Sequence, residues 1–208
     1  MSAKGQALSL REEQRAVTRA RILKAARRAF AEDSYVAASV EDIAVRAGVS
    51  RATFYLHYQS KEAVLRALLE EDVARQFALF DLFPSDGKRS RASIEAWIRR
   101  YLDGFRRRRD SVRLFNLVMA LDPTYVAYFD QKRDEFAAVL AGSVAAFRAP
   151  SAKRARAAHR AQAHLLFYQV EQLAFHAAFL PEGHAGEGVT AAAEAVERFL
   201  ARWTEGRT

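Results

Sequence analysis

Residues Ser39–Tyr58 read SVEDIAVRAGVSRATFYLHY, and this stretch decides the fold of the N-terminal part of the chain. Ser39 and Asp42 have the spacing of a capping box, in which each side chain bonds the backbone N–H of the other residue. They predict a short helix over about residues 40–47. Gly48 follows, and glycine readily adopts the positive φ that ends a helix in a tight turn.

A second short helix is predicted directly after this turn, over about residues 51–57. Ser50 is a favoured N-cap residue. Val49 and Phe54 have the spacing of a hydrophobic staple, which fixes the direction in which the chain enters the helix. Two short helices joined by a tight glycine turn predict a helix-turn-helix.

The second helix of this motif has an unusual outward surface. Phe54 and Tyr58 can face the core together, which leaves the other side for solvent or a partner. That side has hydrogen-bond donors, one small apolar side chain and no carboxylate, as a recognition helix in a DNA major groove requires. The outward residues are Arg51, Ala52, Thr53, Tyr55 and His57.

The composition narrows the classes of protein to consider. The 208 residues are 50% hydrophobic, which is enough for a core, and the net charge is +8, which suggests a polyanionic partner. Residues 1–66 hold twelve Lys or Arg against seven Asp or Glu, so the excess is concentrated near the motif. The chain has no cysteine, which excludes disulfides, thiolate metal sites and a cysteine nucleophile. We expect no signal peptide and no membrane-spanning helix.

Apolar spacings of three, four and seven residues predict an all-α chain of about nine helices. We expect two domains: residues 1–60, a helix-turn-helix domain with an N-terminal arm, and residues 61–208, a larger helical domain. The arm would either follow a DNA backbone or be a solvated tail, and its basic residues are Lys4, Arg11, Arg15 and Arg19. The helices outside the motif are predicted at about residues 17–33, 61–83, 91–108, 111–121, 124–148, 152–179 and 190–204.

About 50 residues of this pattern, from Thr18 to Glu62, resemble the DNA-binding region of the TetR (tetracycline-repressor-like) family, in order and without gaps. One departure is Ser34, where the family usually has glycine. The matching residues are Thr18, Ile22, Leu23, Ala25, Ala26 and Phe30, then Ser39–Ala44, then Ala47–Tyr58, then Ser60, Lys61 and Glu62. The resemblance implies a homodimeric, ligand-responsive transcription regulator of the bacterial cytoplasm, most often a repressor, with no cofactor.

The resemblance also implies which residues meet double-stranded DNA. Arg51 and Ala52 are the candidates for base edges. The candidates for phosphate contacts are Ser39, Thr53, Tyr55, His57 and Lys61. A phosphate near Lys61 would offset the unfavourable position of this cation at a helix N-terminus.

The second domain is rich in aromatic residues, which either form ordinary core or line a cavity for a mainly apolar effector. Our candidate lining residues are Trp97, Tyr101, Phe105, Phe115, Met119, Phe129, Tyr168 and Gln172. His164 and His176 are too far apart along one helix to share a metal ion, so no metal site is predicted. In the TetR family the last two long helices form a four-helix dimer interface, and this chain has suitable faces for one.

Three other classes of function remain as alternatives. A helical DNA-binding regulator controlled by a protein partner, or by no effector, would use the same aromatics as plain core. A helical enzyme lacks support, because we find no nucleophile–base pair, metal cluster or phosphate loop. Peripheral binding to anionic membranes would account for the charge but not for the helix-turn-helix.

Overall fold

The computed structural model describes residues 10–122, 124–181 and 185–205, and all regular structure in these ranges is helical. The all-α prediction is confirmed. None of the described helices is long and apolar enough to cross a membrane. The α-helices are α1 (Leu10–Glu32), α2 (Ser34–Ala37), α3 (Val40–Ala47), α4 (Arg51–His57), α5 (Lys61–Phe80), α6 (Arg91–Arg106), α7 (Arg109–Leu121), α8 (Thr124–Ser143), α9 (Lys153–Phe179) and α10 (Gly186–Glu205), with a 3-10 turn at Ala145–Phe147.

The tenth helix, which the sequence did not predict, is the single turn α2. It exists because the chain changes direction at Ser34, whose φ is 71°. Among the described residues, Ser34 is the only non-glycine residue with a positive φ. A Cβ atom makes this left-handed conformation unfavourable, so the serine that replaces the usual glycine of the family stores local strain.

The chain divides by its internal contacts into Met1–Asp72 and Val73–Thr208. We expected a boundary at residue 61, and the division lies later because the first turns of α5 belong to the N-terminal unit. Arg27 on α1 donates from Nη1 to Asp72 Oδ2 at 3.0 Å. The Lys61 ammonium donates to the backbone carbonyls of Tyr35 in α2 and of Ala38, which follows α2. The arm residue Lys4 lies outside the described residues, whereas Arg11, Arg15 and Arg19 lie on α1.

The N-terminal unit is built around the packing of α1 on α3. Helix α1 buries one apolar face, which includes Ile22, Ala26 and Phe30, and Phe54 at the centre of α4 is buried too. Completely buried side chains come from four helices, α1, α3, α4 and α5. Because Phe54 is one of them, the inner face of α4 is held against this core. These side chains are Ile22, Ala26, Ala29, Ile43, Phe54, Val64 and Leu68.

The C-terminal unit has an aromatic core in which α6 and α9 are the central helices and α10 packs on both. The rings of Phe80 and Phe136 are stacked with centroids 4.5 Å apart. Trp97 stacks on Tyr101 at 5.5 Å. Because the ring of Tyr101 is completely buried among these residues, its hydroxyl group lies inside the core.

Candidate functional site

Both helices of the motif begin with the caps that the sequence predicted. Ser39 Oγ accepts a hydrogen bond from Asp42 N at 3.1 Å, and Asp42 Oδ2 accepts from Ser39 N at 3.0 Å. The bonds from Ser39 hold the pKa of Asp42 below its ordinary value. Ser50 Oγ accepts from Thr53 N at 3.0 Å. These caps fix the ends of α3 and α4, and the hydroxyl of Ser39 is already engaged in its cap.

The outer face of α4 displays most of the residues that the sequence placed there. Arg51, Ala52 and Tyr55 are exposed, and Thr53 and His57 are half-buried. Leu56 joins this face with 73% of its surface exposed. We did not predict Leu56, although an apolar residue at an outward helical position was the signal that could have revealed it.

A carboxylate from the neighbouring helix also reaches this face. Arg51 forms an ion pair with Glu41 from the first turn of α3. The Arg51 guanidinium lies 5.7 Å from the centroid of the Tyr55 ring, within the range of a cation–π contact. Helix α4 has no acidic residue, as predicted, but its exposed surface is not free of negative charge, because α3 supplies one.

His57 lies beside basic residues of α1. The pKa of its imidazole is held below the ordinary value, first by burial and then by the positive charges of Arg15 and Arg19. An open groove of about 400 Å³ runs here, lined by Gln14, Arg15, Thr18, Leu56 and His57. The groove therefore combines the cation of Arg15 on α1 with the end of α4, which is an arrangement suited to a phosphate backbone.

Lys61 has backbone partners that the sequence did not reveal. Its Nζ donates to Tyr35 O at 2.7 Å, to Ala38 O at 2.8 Å and to Val36 O at 3.3 Å. An ammonium group has three donors, so these carbonyls occupy all of them. The phosphate contact expected for Lys61 stays a prediction, and it would be a long-range charge attraction unless the ammonium changes partners.

In the C-terminal unit, four of the eight candidate effector-site residues are buried: Trp97, Tyr101, Phe105 and Phe129. Phe115 and Met119 are half-buried. Ring contacts of 4.4–5.5 Å connect Trp97, Tyr101, Phe105, Phe175, Phe115 and Phe129 into one continuous series. The structure thus brings the aromatic candidates together inside the unit.

Tyr168 and Gln172 are not part of this buried cluster, because their side chains lie on the exposed side of α9. The Tyr168 hydroxyl donates to Asp130 Oδ1 at 2.8 Å. The Arg133 guanidinium lies 3.9 Å from the centre of the Tyr168 ring. Tyr168 therefore covers a buried arginine instead of joining the aromatic interior.

The buried charges of this unit were missed by the sequence analysis. Arg133 Nε and Nη2 both donate to Glu171 Oε2, at 3.2 and 2.6 Å, and both side chains are buried. Burial raises the pKa of Glu171, and the positive charge of Arg133 opposes this rise. The signal was a single glutamate within the apolar sequence LLFYQVEQLAF. Within the described residues, no group of three or more acidic or histidine side chains is arranged to hold a metal ion.

The Tyr101 hydroxyl is buried without a hydrogen-bond partner. Burial raises the pKa of Tyr101 well above its ordinary value, and the negative charge of Glu171 adds to this rise. Buried hydroxyls are normally paired because an unpaired one is costly. Tyr101 therefore offers an unused donor at the centre of the aromatic cluster.

A capped helix-turn-helix with an exposed donor face defines a DNA-binding protein of the helix-turn-helix class. Residues 22–68 match the family described as "Bacterial regulatory proteins, tetR family". These residues form a DNA-binding domain of the TetR type, and the members of that family are transcription regulators and not enzymes.

Individual relatives agree with this assignment. The chain is 41% identical over 63 residues to the HTH-type transcriptional regulator UidR of Escherichia coli, a match covering 30% of this chain and 32% of UidR. It is 38% identical over 68 residues to the HTH-type transcriptional repressor Rv1474c of Mycobacterium tuberculosis, covering 33% and 36% of the two chains. The matches thus span about a third of the length of these curated relatives.

The fold of the remaining chain is supported by solved structures. A TetR-family transcriptional regulator from Mesorhizobium loti superposes with a TM-score of 0.63 over 91% of this chain and 98% of that one. The sequence identity is only 20%, so this likeness concerns the fold alone.

Proposed function

We propose that this protein is a dimeric transcriptional repressor that binds a palindromic operator and is released from it by a small, mainly apolar or aromatic molecule. The DNA-binding part of this proposal rests on the α3–turn–α4 unit, which is fixed by its caps. The outer face of this unit exposes Arg51, Ala52 and Tyr55. A regulator of this kind acts in the cytoplasm, where bacterial DNA lies. The match to a protein named as a repressor favours repression over activation.

The residues of the interface have different tasks in this proposal. Arg51 and Ala52 read base edges, since the N-terminal residues of a recognition helix reach furthest into the major groove. An arginine can donate two hydrogen bonds to guanine, and a small apolar side chain can contact a thymine methyl group. Phosphate contacts, which set the register of the protein on DNA, come from Thr53, Tyr55 and His57. Ser39 and Lys61 join them when their side chains exchange their present partners for a phosphate.

Replacing Arg51 tests this assignment against a matched control. Arg51→Gln should weaken binding to a selected operator by about 5–150-fold, the range of one specific base contact of about 1–3 kcal/mol. Arg99 on α6 has a similarly exposed side chain, 55% against 64%. Arg99→Gln changes the net charge equally and should leave operator affinity within about twofold in fluorescence anisotropy. Equal losses in the two variants would contradict a base-reading role for Arg51.

The effector site is proposed at the aromatic series of the C-terminal unit. Its apolar walls suit a flat or aromatic molecule, with Trp97, Phe105, Phe115, Met119 and Phe129 as lining residues. The unpaired Tyr101 hydroxyl suits a carbonyl or other hydrogen-bond acceptor on that molecule. Effector and DNA then oppose each other through one reciprocal coupling free energy.

The competing function is a DNA-binding regulator with a protein partner or without an effector. A thermal-shift screen of small aromatic compounds separates the two, because a ligand that binds only the folded state raises the unfolding temperature. One stabilising compound that also releases operator DNA supports the repressor with an effector. Failure of every compound in a broad screen favours the alternative.

The dimer is proposed to form through α9 and α10. Leu165 on α9 has 61% of its surface exposed in the single chain. A shallow groove of about 250 Å³ beside it is lined by both helices, including Leu166, Gln169 and Ala195. Covering this face with the same face of a second copy gives the twofold symmetry that a palindromic operator requires.

Sedimentation velocity tests this interface. Leu165→Glu should produce monomers, because two carboxylates would be buried near the symmetry axis. Val126 on α8 is another exposed apolar residue, at 44%, and Val126→Glu should remain dimeric. Dimers in both variants would contradict the proposed interface.

A further inference from the structure

We infer that Glu41 is a specificity-determining residue, whose carboxylate engages Arg51 in the DNA-free protein and suppresses binding to DNA of unrelated sequence. The inference rests on the proposed DNA-binding function and goes beyond it, because it assigns a role to a negative charge at the interface. The observation is the ion pair between Glu41 on α3 and Arg51, the first residue of α4.

The two acidic residues in the first turn of α3 have different tasks. Asp42 is committed to the capping box with Ser39. Glu41 is not part of that cap, and its carboxylate is directed to the recognition helix instead. A negative charge in the first turn of a helix is favoured by the helix dipole, so this position suits a carboxylate.

The ion pair between Glu41 and Arg51 is weak enough for operator DNA to replace Glu41 as the partner of Arg51. The side chains of Arg51 and Glu41 are 64% and 51% exposed, and exposed ion pairs contribute little free energy. A guanine at the correct position offers Arg51 two parallel hydrogen bonds and can therefore replace the carboxylate. A phosphate of unrelated DNA can also accept hydrogen bonds from Arg51, but its negative charge is repelled by the carboxylate of Glu41.

The pair therefore acts against sequence-independent binding more than against operator binding. Binding to unrelated DNA comes almost entirely from cations that replace condensed counterions on the phosphates. An arginine that is already neutralised by a carboxylate contributes less to that exchange. Discrimination of this kind, through a repulsive element directed at the wrong partner, is a recognised route to specificity.

Replacing the carboxylate by its neutral amide tests the inference. In Glu41→Gln we expect the affinity for random-sequence duplex DNA to rise about 3–10-fold at low salt. The slope of log K against log salt should steepen by about 0.9, the value for one added phosphate contact. Affinity for the selected operator should change less, so the ratio of the two affinities should fall.

Glu32→Gln is the matched control. Glu32 is also exposed, and it pairs with Arg46 instead of Arg51. The two variants have the same net charge, so a general effect of charge would raise random-DNA affinity equally in both. Equal effects would overturn the inference.

A double-mutant cycle identifies the partner. In an Arg51→Gln background, Glu41→Gln should raise random-DNA affinity no more than Glu32→Gln does, because the cation that it releases is absent. An undiminished effect in that background would contradict the assignment to Arg51. Failure of the wild-type protein to bind any duplex would refute the proposed function itself. A wild-type protein that selects an operator, with an unchanged affinity ratio in Glu41→Gln, would refute this inference alone.

Discussion

The guanidinium of Arg21 on α1 caps the end of α3 by donating from Nη2 to Ala47 O at 2.7 Å and to Gly48 O at 3.1 Å. Carbonyls at a helix C-terminus lack partners within the helix, so a side chain from another helix satisfies them here. Gly48 has a φ of 64°, and a Cβ atom on it would lie 2.7 Å from Arg21 Nη2. The turn between α3 and α4 therefore depends on a glycine and an arginine that are far apart in sequence.

Removal of this cap should destabilise the N-terminal unit. Arg21→Met keeps most of the aliphatic stem and should lower the free energy of unfolding by about 1–2 kcal/mol, since hydrogen bonds from a charged donor are lost. The measurement is urea unfolding followed by circular dichroism. Arg28→Met, another exposed arginine of α1, is the control and should change stability by less than about 0.5 kcal/mol. Equal destabilisation would argue against the cap.

Relief of the strain at Ser34 should stabilise the protein. Ser34→Gly removes the Cβ atom from a residue with a φ of 71° and should raise the free energy of unfolding by about 0.5–1 kcal/mol. Ser34→Ala keeps the Cβ atom and loses the hydroxyl that accepts from Ala37 N at 3.4 Å. This variant should therefore show no gain. A glycine variant no more stable than the alanine variant would show that the backbone is not strained.

Tyr101→Phe should weaken effector binding without destabilising the free protein. The hydroxyl has no partner in the unliganded core, so its removal should leave the unfolding temperature unchanged or raise it by a few degrees. The thermal shift given by a stabilising compound with a hydrogen-bond acceptor should fall by at least half. Tyr125→Phe is the control, and it should keep the full shift. If Tyr101→Phe kept the full thermal shift, the hydroxyl of Tyr101 would not be part of the proposed effector site.

Operator binding should depend on pH through His57. Burial, Arg15 and Arg19 hold its pKa below the ordinary value of 6.5 in free protein, and a nearby phosphate would raise it. A pKa that is higher in the complex means that binding takes up a proton, so affinity should increase as the pH falls from about 7.5 to 5.5. We expect a gain of about 3–10-fold over this range.

Comparison with two variants isolates the contribution of His57. In His57→Gln, the gain in affinity at low pH should be largely lost. His176→Gln removes an exposed histidine of the C-terminal unit and should keep the gain. If His57→Gln kept the wild-type dependence of operator affinity on pH, no DNA phosphate would lie beside the imidazole of His57.

Local signals in the sequence were sufficient to predict the helix-turn-helix of the N-terminal unit, although not the single turn α2. The capping box at Ser39, the glycine turn at Gly48 and the cap at Ser50 each depend on residues close together in the chain, and the structure contains all three. The contacts of Arg21 with Ala47 and of Arg51 with Glu41 were not foreseen. They join side chains between helices, and helical spacing alone does not say which neighbouring helix a long side chain will reach.

The C-terminal unit was harder to predict for the same reason. Aromatic spacing correctly indicated helices with large buried faces, and Trp97, Tyr101 and Phe105 are buried as a group. The direction of Tyr168 depends on Asp130 and Arg133 of another helix. The sequence therefore identified the cluster but not which polar groups are inside it.

The central claim is that the full chain binds a palindromic DNA site as a symmetric dimer. Selection from a pool of random duplex DNA tests this claim most directly, with the bound fraction sequenced after several rounds. The account predicts one enriched palindrome, with half-site centres about 34–36 Å apart along the helix axis or a multiple of that distance. Recovery of no enriched sequence, or of a single half-site bound by a monomer, would contradict it.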